Sequence, residues 1–407
     1  MRHLDRKGFL ALSGTTGLAA FMAACGGSSS DSSGGGDSAA ADATETADAT
    51  STAAAAPTVD PASEPGGPIE IFTWAGYDND PEAGAPWMWS QYEEGPYGTD
   101  SPLKWTFLED DTQALSKVAS GYSPDIVHPC AMWIPQWKDG GLIQPLDLSL
   151  LPDYQGIPEA VRAGGEIDGQ TWFVPFDVGF SSLTYDADAI DFDEVGGEET
   201  WRILLDQRFA GKMSFFSDPT SIIGFSHLMN EGAVDPNVLD TAQIAAAKET
   251  ALQWKPNMRN YWTSQTDAVN DFVNGNLLAT YTWPDGYWRI KNDPKMEGRN
   301  IKYMQPKEGR GAWVCGMVLS ANTMQPGRAQ LAIASANTPE AAAALTDNFQ
   351  FAGAQKDGVI ELIQDKALIK AFDIDNPAAW EPPNTWFEHS IPNYREVIAA
   401  GEEVKAS

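Results

Sequence analysis

Histidine is scarce in this chain of 407 residues: His3, His128, His227 and His389 are all there are, and no two have the spacing of a metal site. Cysteine is scarcer, with Cys25, Cys130 and Cys315 alone. Basic residues are few as well. Twenty-six Lys+Arg stand against 57 Asp+Glu, a formal net charge of −31, which argues against binding a phosphate backbone and leaves no nucleic-acid partner expected. Cationic or neutral ligands suit such a surface better, although solubility alone accounts for many surface acids. The sequence has no GxSxG, no phosphate loop and no GxGxxG opening a helix after a strand. Asp110 and Asp111 are adjacent acids, but neighbours in sequence point apart and make a poor glycosidase pair. With no nucleophile beside an evident base, the expectation is a binding protein rather than an enzyme, with no cofactor and no metal; a carboxylate-based hydrolase is the alternative of another class. Long apolar runs are missing too. The stretch from Phe9 to Ala24 is broken by Gly14, Thr15, Thr16 and Gly17 and falls short of the ~20 apolar residues of a spanning helix.

What the N-terminus does have is an export pattern: Arg2, Arg6 and Lys7 precede that weakly apolar run, which ends in small residues. Met22-Ala23-Ala24-Cys25 resembles a lipobox, so residues 1–25 read as a lipoprotein signal peptide and Cys25 as the lipidation site. Arg6-Lys7-Gly8-Phe9-Leu10 resembles a twin-arginine motif with Lys in the second basic place, which leaves the export route open. Residues 26–66 are almost entirely Gly, Ser, Ala, Thr, Asp and Pro, a composition that buries too little apolar surface to offset ordering. They read as a tether. The expected location is therefore the outer face of the cytoplasmic membrane or the periplasm, with the body held by lipid on Cys25.

Residues 67–407 exceed the ~250–300 at which single cores stop growing, which suggests two lobes. Short runs rich in β-branched and aromatic residues read as strands: IEIFTW (69–74), LKWTFLE (103–109), PDIVHP (124–129), TWFVPF (171–176), KMSFFSD (212–218), NLLATYTW (276–283), IKYMQP (301–306) and WVCGMVLS (313–320). Helical patterns lie between them. Over 241–254, Ile244, Ala247, Ala251 and Leu252 share one face, and Asp240 with Gln243 resembles a capping box. The alternation predicts an α/β fold with mostly parallel sheets, whose ligands sit at the carboxyl ends of strands. Those ends are rich in rings and acids. They include Trp74 and Tyr77, Trp133, Phe176 and Asp177, Asp218, and the stretch TYTWPDGYW with Trp283 and Asp285. Taken one at a time, each ring is about as apt to be packing as binding.

Read in order, these segments resemble the spermidine/putrescine-binding proteins of ABC importers. IEIFTWAGY is similar to the first strand, DIVHPCAMWIPQWKDGGLIQPLD to the aromatic loop, TWFVPFDVGFSSLTY and NGNLLATYTWPDGYW to two crossovers, and MQPKEGRGAWVCGMVLS to the return strand. The resemblance implies an α/β, two-lobed type II periplasmic-binding-protein fold, with two mixed sheets flanked by helices and joined by two crossing strands. It places residues 67–178 and 285–333 in lobe 1 and 179–284 and 334–407 in lobe 2. It further implies a monomer that captures a small organic cation, foremost a polyamine, and delivers it to an ABC permease in the membrane; a neutral sugar or amino-acid-like solute is the alternative. The family's ring positions fall on Trp74, Trp283 and Trp313, all kept. Its acids fare worse. The amine-binding Asp is Cys315 here, the loop Ser is Cys130, and an acidic pair becomes Pro219 and about Ile222, leaving Asp218 beside them. Asp177 and Asp285, placed on the crossovers, are the expected replacement anchors. Because the loop Ser and the amine-binding Asp approach the ligand from one lobe in the resembled fold, Cys130 and Cys315 should lie close, and an exported protein can keep them bonded. Two buried free thiols are the alternative.

Overall fold

The computed structural model describes residues 58–78 and 88–407. The signal segment, Cys25 and most of the tether lie outside the described residues.

Eight strands form one continuous hydrogen-bonded path, in the order Leu103–Leu108, Ile69–Trp74, Ile126–Val127, Arg310–Ser320, Val174–Asp186, Ala279–Thr282, Met213–Phe216 and Met258–Trp262. The first three pair parallel, as do the last three. The middle is antiparallel, because Val174–Asp186 and Arg310–Ser320 run against each other from Gly311 opposite Ser181 to Met317 opposite Val174, with a register shift between Cys315 and Gly316. The two sheets expected from the sequence are thus fused through their crossing strands into one. The quoted apolar runs all fall on or against strands, and Thr241–Trp254 is a helix whose Asp240–Gln243 capping box is formed in both directions.

Two large hydrophobic cores flank this seam. One gathers Ile69, Phe72, Ile126, Val178, Val318, Leu345, Phe372 and Trp380; the other Leu183, Trp201, Phe215, Trp254, Tyr281 and Val404. Their membership corrects the expected lobe boundaries. Tyr287, Ile290, Met296 and Ile301 pack with Val269 and Phe272 on the second-lobe side, whereas residues 341–345, Phe372 and Trp380 pack into the first lobe. The physical reason is where the chain crosses. NLLATYTW is not a crossover: its strand Ala279–Thr282 lies inside the second-lobe sheet, between Val174–Asp186 and Met213–Phe216. The second crossing is Arg310–Ser320, which pairs with Ile126–Val127 at one end and Thr385–Phe387 at the other. The chain returns to lobe 2 from the strand Thr385–Phe387, with Trp386 packed against the second core and Val397 and Ala400 packed with Ile223 and Ile244.

The tether also ends earlier than its composition suggests. Glu64 accepts the backbone N–H groups of Gly327 (2.6 Å) and Arg328 (2.9 Å) at the start of helix Pro326–Ala336, and the Arg328 side chain donates to the Pro61 carbonyl (3.0 Å). A carboxylate at a helix N-terminus satisfies orphan amides and complements the helix dipole. Residues 58–66 therefore belong to the folded body, in spite of their polar, Pro-rich sequence.

Candidate functional site

Gly179 opens the seam between the crossing strands. A Cβ there would lie 2.4 Å from the Trp313 indole, so the ring lies flat over a bare backbone and meets Phe351 edge-on at 5.1 Å. Phe349 lies 5.5 Å from Phe351 and stacks on Tyr77 at 4.7 Å. Trp74, at the end of the first strand, is half-buried against the same core. The indole N–H groups of Trp74 and Trp313 are buried without an acceptor. Trp283, in lobe 2, is half-buried and edge-on to Phe216 (5.3 Å) and Trp262 (5.5 Å). The expected ring residues thus lie near the seam in two groups, one per lobe.

The expected acids behave differently. Asp177 is buried in lobe 1, where its carboxylate accepts the Tyr77 hydroxyl (2.5 Å) and lies 2.9 Å from His128 Nε2, whose Nδ1 is 2.9 Å from Thr73 Oγ1. Both oxygens are occupied, so Asp177 is a core hydrogen-bonding residue and not a free anchor. Burial and that carboxylate push the Tyr77 phenol well up. Phe176 is likewise core, packed among Tyr77, Trp89 and His128. Asp285 opens helix Pro284–Lys291 instead of lying on a crossover. Both its oxygens accept from Gln265 Nε2 (2.9 and 2.8 Å), and Gln265 Oε1 accepts the Trp283 backbone N–H (2.7 Å). Asp285 thereby holds Trp283 in place, with its own carboxyl raised by burial.

Cys130 and Cys315 are disulfide-bonded, with Cα atoms 3.8 Å apart. The bond fastens the loop after Ile126–Val127 to the second crossing strand opposite Asp177. It also sets Asp111, whose Oδ1 accepts the Cys130 backbone N–H at 2.9 Å.

Three carboxylates of different origin converge beyond that disulfide. Asp111 comes from the first turn of helix Asp111–Ala119 in lobe 1. Asp218 caps helix Pro219–Glu231 in lobe 2, accepting Ser221 N–H (2.7 Å), the Ser221 hydroxyl (2.8 Å) and the Thr220 hydroxyl. Glu388 follows the strand Thr385–Phe387, and its backbone N–H is held by the Ala312 carbonyl of the crossing strand (2.8 Å). Among the described residues none of the three is in an ion pair, and the Glu388 carboxyl has no hydrogen-bond partner. Burial, reinforced by the charges of Asp218 and Asp111, pushes the Glu388 carboxyl up to about 8. Burial pushes Asp111 to about 6 against the opposing Cys130 N–H and a nearby His128. Tyr394, from the C-terminal helix, feels both aspartates and meets Trp133 of lobe 1 edge-on at 5.8 Å. Behind Glu388 a cavity of about 50 Å³ runs between Ser181, Ser221, Phe225, Tyr281 and Trp386.

Of the expected site residues, Trp133 and Asp218 lie at this convergence. Sequence reasoning weighed Asp111 only as half of an adjacent acid pair and passed over Glu388 and Tyr394. Asp111 stood at a strand end and was visible there; Glu388 followed no motif, and its position depends on pairing with a strand 75 residues upstream.

Two lobes on a shared seam, strands crossing twice between them, and an acid-lined space where they meet define the architecture of a periplasmic-type solute receptor. The chain belongs to the bacterial extracellular solute-binding proteins, whose family model matches residues 106–369. It is 24% identical over 270 residues to the putrescine-binding periplasmic protein PotF of Escherichia coli, covering 63% of this chain and 70% of that one. Other curated relatives are matched over little more than half their length. The spermidine/putrescine substrate-binding protein PotD of Streptococcus pneumoniae superposes with a TM-score of 0.65 at 17% identity, over 83% of this chain and 99% of that one. The GacH receptor of Streptomyces glaucescens, solved with acarbose, superposes with 0.64 at 12% identity, over 84% and 93%. At these identities the structures share the fold, and neighbours with such different ligands leave the choice of solute to the site. The relatives are solute-binding proteins, not enzymes.

Proposed function

We propose that this protein is a lipid-anchored, extracytoplasmic receptor that captures a small organic cation, foremost a polyamine such as putrescine or spermidine, between its lobes and delivers it to an ABC importer. One observation carries the reading. Asp111, Asp218 and Glu388 meet from both lobes and from the hinge without a counter-cation, beside the rings of Trp133 and Tyr394. The three carboxylates are half-buried; crowding them out of water with no counter-cation is costly, and a bound cation removes that cost while ring faces add about 0.5–2 kcal/mol. The curated relatives' names point the same way, since several are putrescine- or spermidine-binding. Since the acids come from both lobes, the cation favours the closed arrangement, and the closed form is the one that docks on the permease.

A thermal-shift screen tests it. A ligand at about 100 times its Kd adds about 2.7 kcal/mol of stability, so putrescine and spermidine should raise Tm by a few degrees while sugars and neutral amino acids leave it unchanged. A shift with sugars alone would overturn the cation reading in favour of the neutral-solute alternative.

A further inference from the structure

We propose that a groove on the back of the crossing strands is a second ligand site, for a small polyvalent anion carrying phosphate or carboxylate groups, and that an anion there opposes closure of the front. The binding stands on the groove alone; its effect on the front rests on the receptor reading above. Basic residues are scarce in the chain, 26 in 407, yet residues 287–310 hold seven of them against three acids. That segment and the helix Lys366–Ala371 wall an open groove of about 820 Å³, within the size range of small-molecule sites. One wall belongs to lobe 2, where Lys291 ends the helix Pro284–Lys291 and Lys302 lies on the strand Ile301–Tyr303. The other belongs to lobe 1, with Lys370 on a helix whose Leu368 and Ile369 pack into the first core. Arg310 lines the groove where the second crossing strand begins.

These charges are poorly neutralised. Lys291 and Lys302 are exposed, and among the described residues neither is in an ion pair; the Lys291 ammonium stands 5.3 Å over the Tyr287 ring. Lys370 pairs with Asp375 in water, where such a pair contributes little and gives way to a stronger anion. Arg310 is already held by Asp373 at 2.9 Å. Glu199, the one carboxylate among the described lining residues, accepts the Tyr185 hydroxyl and the Gln305 backbone N–H (2.6 Å) and no lysine. Three ammonium groups from two lobes around one space suit an anion with more than one charged group. The rest of the surface selects its size: at a formal net charge of −31 the protein repels an acidic protein or an anionic membrane, whereas a small anion enters the groove alone.

The groove lies on the far side of the seam from the acids, because side chains alternate across a strand. Ser181 and Gly311 line the cavity beside Glu388, and Gly179 carries Trp313 on that same face. Phe180 and Arg310 point the other way, with the guanidinium 3.6 Å over the ring. Rotation about the crossing strands that narrows one face widens the other. An anion bridging Lys302 and Lys370 therefore holds the back narrow and the front open, and it competes with the front ligand without sharing its site.

Isothermal titration calorimetry with tripolyphosphate at constant ionic strength tests the site. The wild-type protein should bind it, and Lys291→Gln with Lys302→Gln should weaken binding by at least about 10-fold through the loss of charge-assisted hydrogen bonds. Both side chains are exposed, so the fold is spared. Lys104→Gln with Lys248→Gln removes the same charge from outside the groove, where those lysines pair with Glu70 and Glu403, and should leave the affinity unchanged. No binding by the wild type, or equal loss in the two double variants, overturns the site. Saturating tripolyphosphate should weaken putrescine by at least about 5-fold in the wild type and not in the Lys291/Lys302 variant, a comparison that cancels any direct complex of the two ions in solution. Equal effects in both proteins overturn the coupling. Phosphatidylglycerol vesicles present the same phosphate on a surface, and sedimentation of the Cys25→Ser protein with them, lost when both groove lysines are changed, overturns the free-anion assignment in favour of a lipid headgroup. If no solute binds the front while tripolyphosphate still binds the groove, the receptor reading falls and the second site stands.

Discussion

Glu388→Gln should make the ligand-free protein more stable at alkaline pH while damaging its function. The carboxyl's pKa rises from an ordinary 4.5 to about 8 in the folded state because burial and two neighbouring aspartates disfavour its charge. Between those values the folded chain holds a proton that the unfolded chain has lost, so this group's contribution to stability is fully present below pH 4.5 and is lost as pH climbs through 8. At 1.36 kcal/mol for each tenfold change in proton affinity, the whole decline is about 5 kcal/mol, a large share of the 5–15 kcal/mol that holds a typical domain together. Glutamine keeps the shape and cannot ionise, so it should remove most of that decline. Urea denaturation followed by circular dichroism at pH 5.5 and pH 8.5, on both proteins without ligand, measures it. Asp111 and His389 titrate in both, and the difference between the two proteins isolates Glu388. The wild type should lose several kcal/mol more than the variant over that interval. Parallel pH profiles would refute the claim that Glu388 sits half-buried and without a hydrogen-bond partner beside Asp111 and Asp218.

The Cys130–Cys315 bond closes 185 residues of chain, so reduction, or Cys315→Ser, should cost about 2–4 kcal/mol, and the released Cys130 loop should loosen its hold on Asp111 and weaken putrescine binding; alkylation of both thiols in native exported protein without prior reduction would show the bond absent. Cys25→Ser should move the protein from membrane to soluble fractions of the producing cell, and an unaltered protein already soluble and free of lipid would end the anchor reading.

The sequence by itself determined the local pieces, because local pieces depend on neighbours in the chain. IEIFTW is rich in β-branched and aromatic residues and is preceded by Gly and Pro, and it is a strand; Asp240 with Gln243 satisfies the amides of its own helix, and the capping box is present. The ordered motifs likewise led to the two-lobed receptor fold and its solute-binding family. Residue type alone could not say which acids were free. Asp177 and Asp285 looked like anchors because the resemblance placed them on the crossovers, yet Tyr77 and His128 claim one and Gln265 the other. Those partners are 100, 49 and 20 residues away in sequence. Composition misplaced the end of the tether for the same reason, as Glu64 is ordered by a helix start 263 residues further on. Only the tertiary structure decided where the chain crosses between lobes, and the crossing at Arg310–Ser320 is what draws Thr385–Phe387 alongside and sets Glu388 at the hinge. Whether a carboxylate is an anchor or a strut is fixed by what surrounds it once the chain has closed on itself. Desolvation and unmet hydrogen bonds are properties of that enclosure and have no signature in the order of the residues.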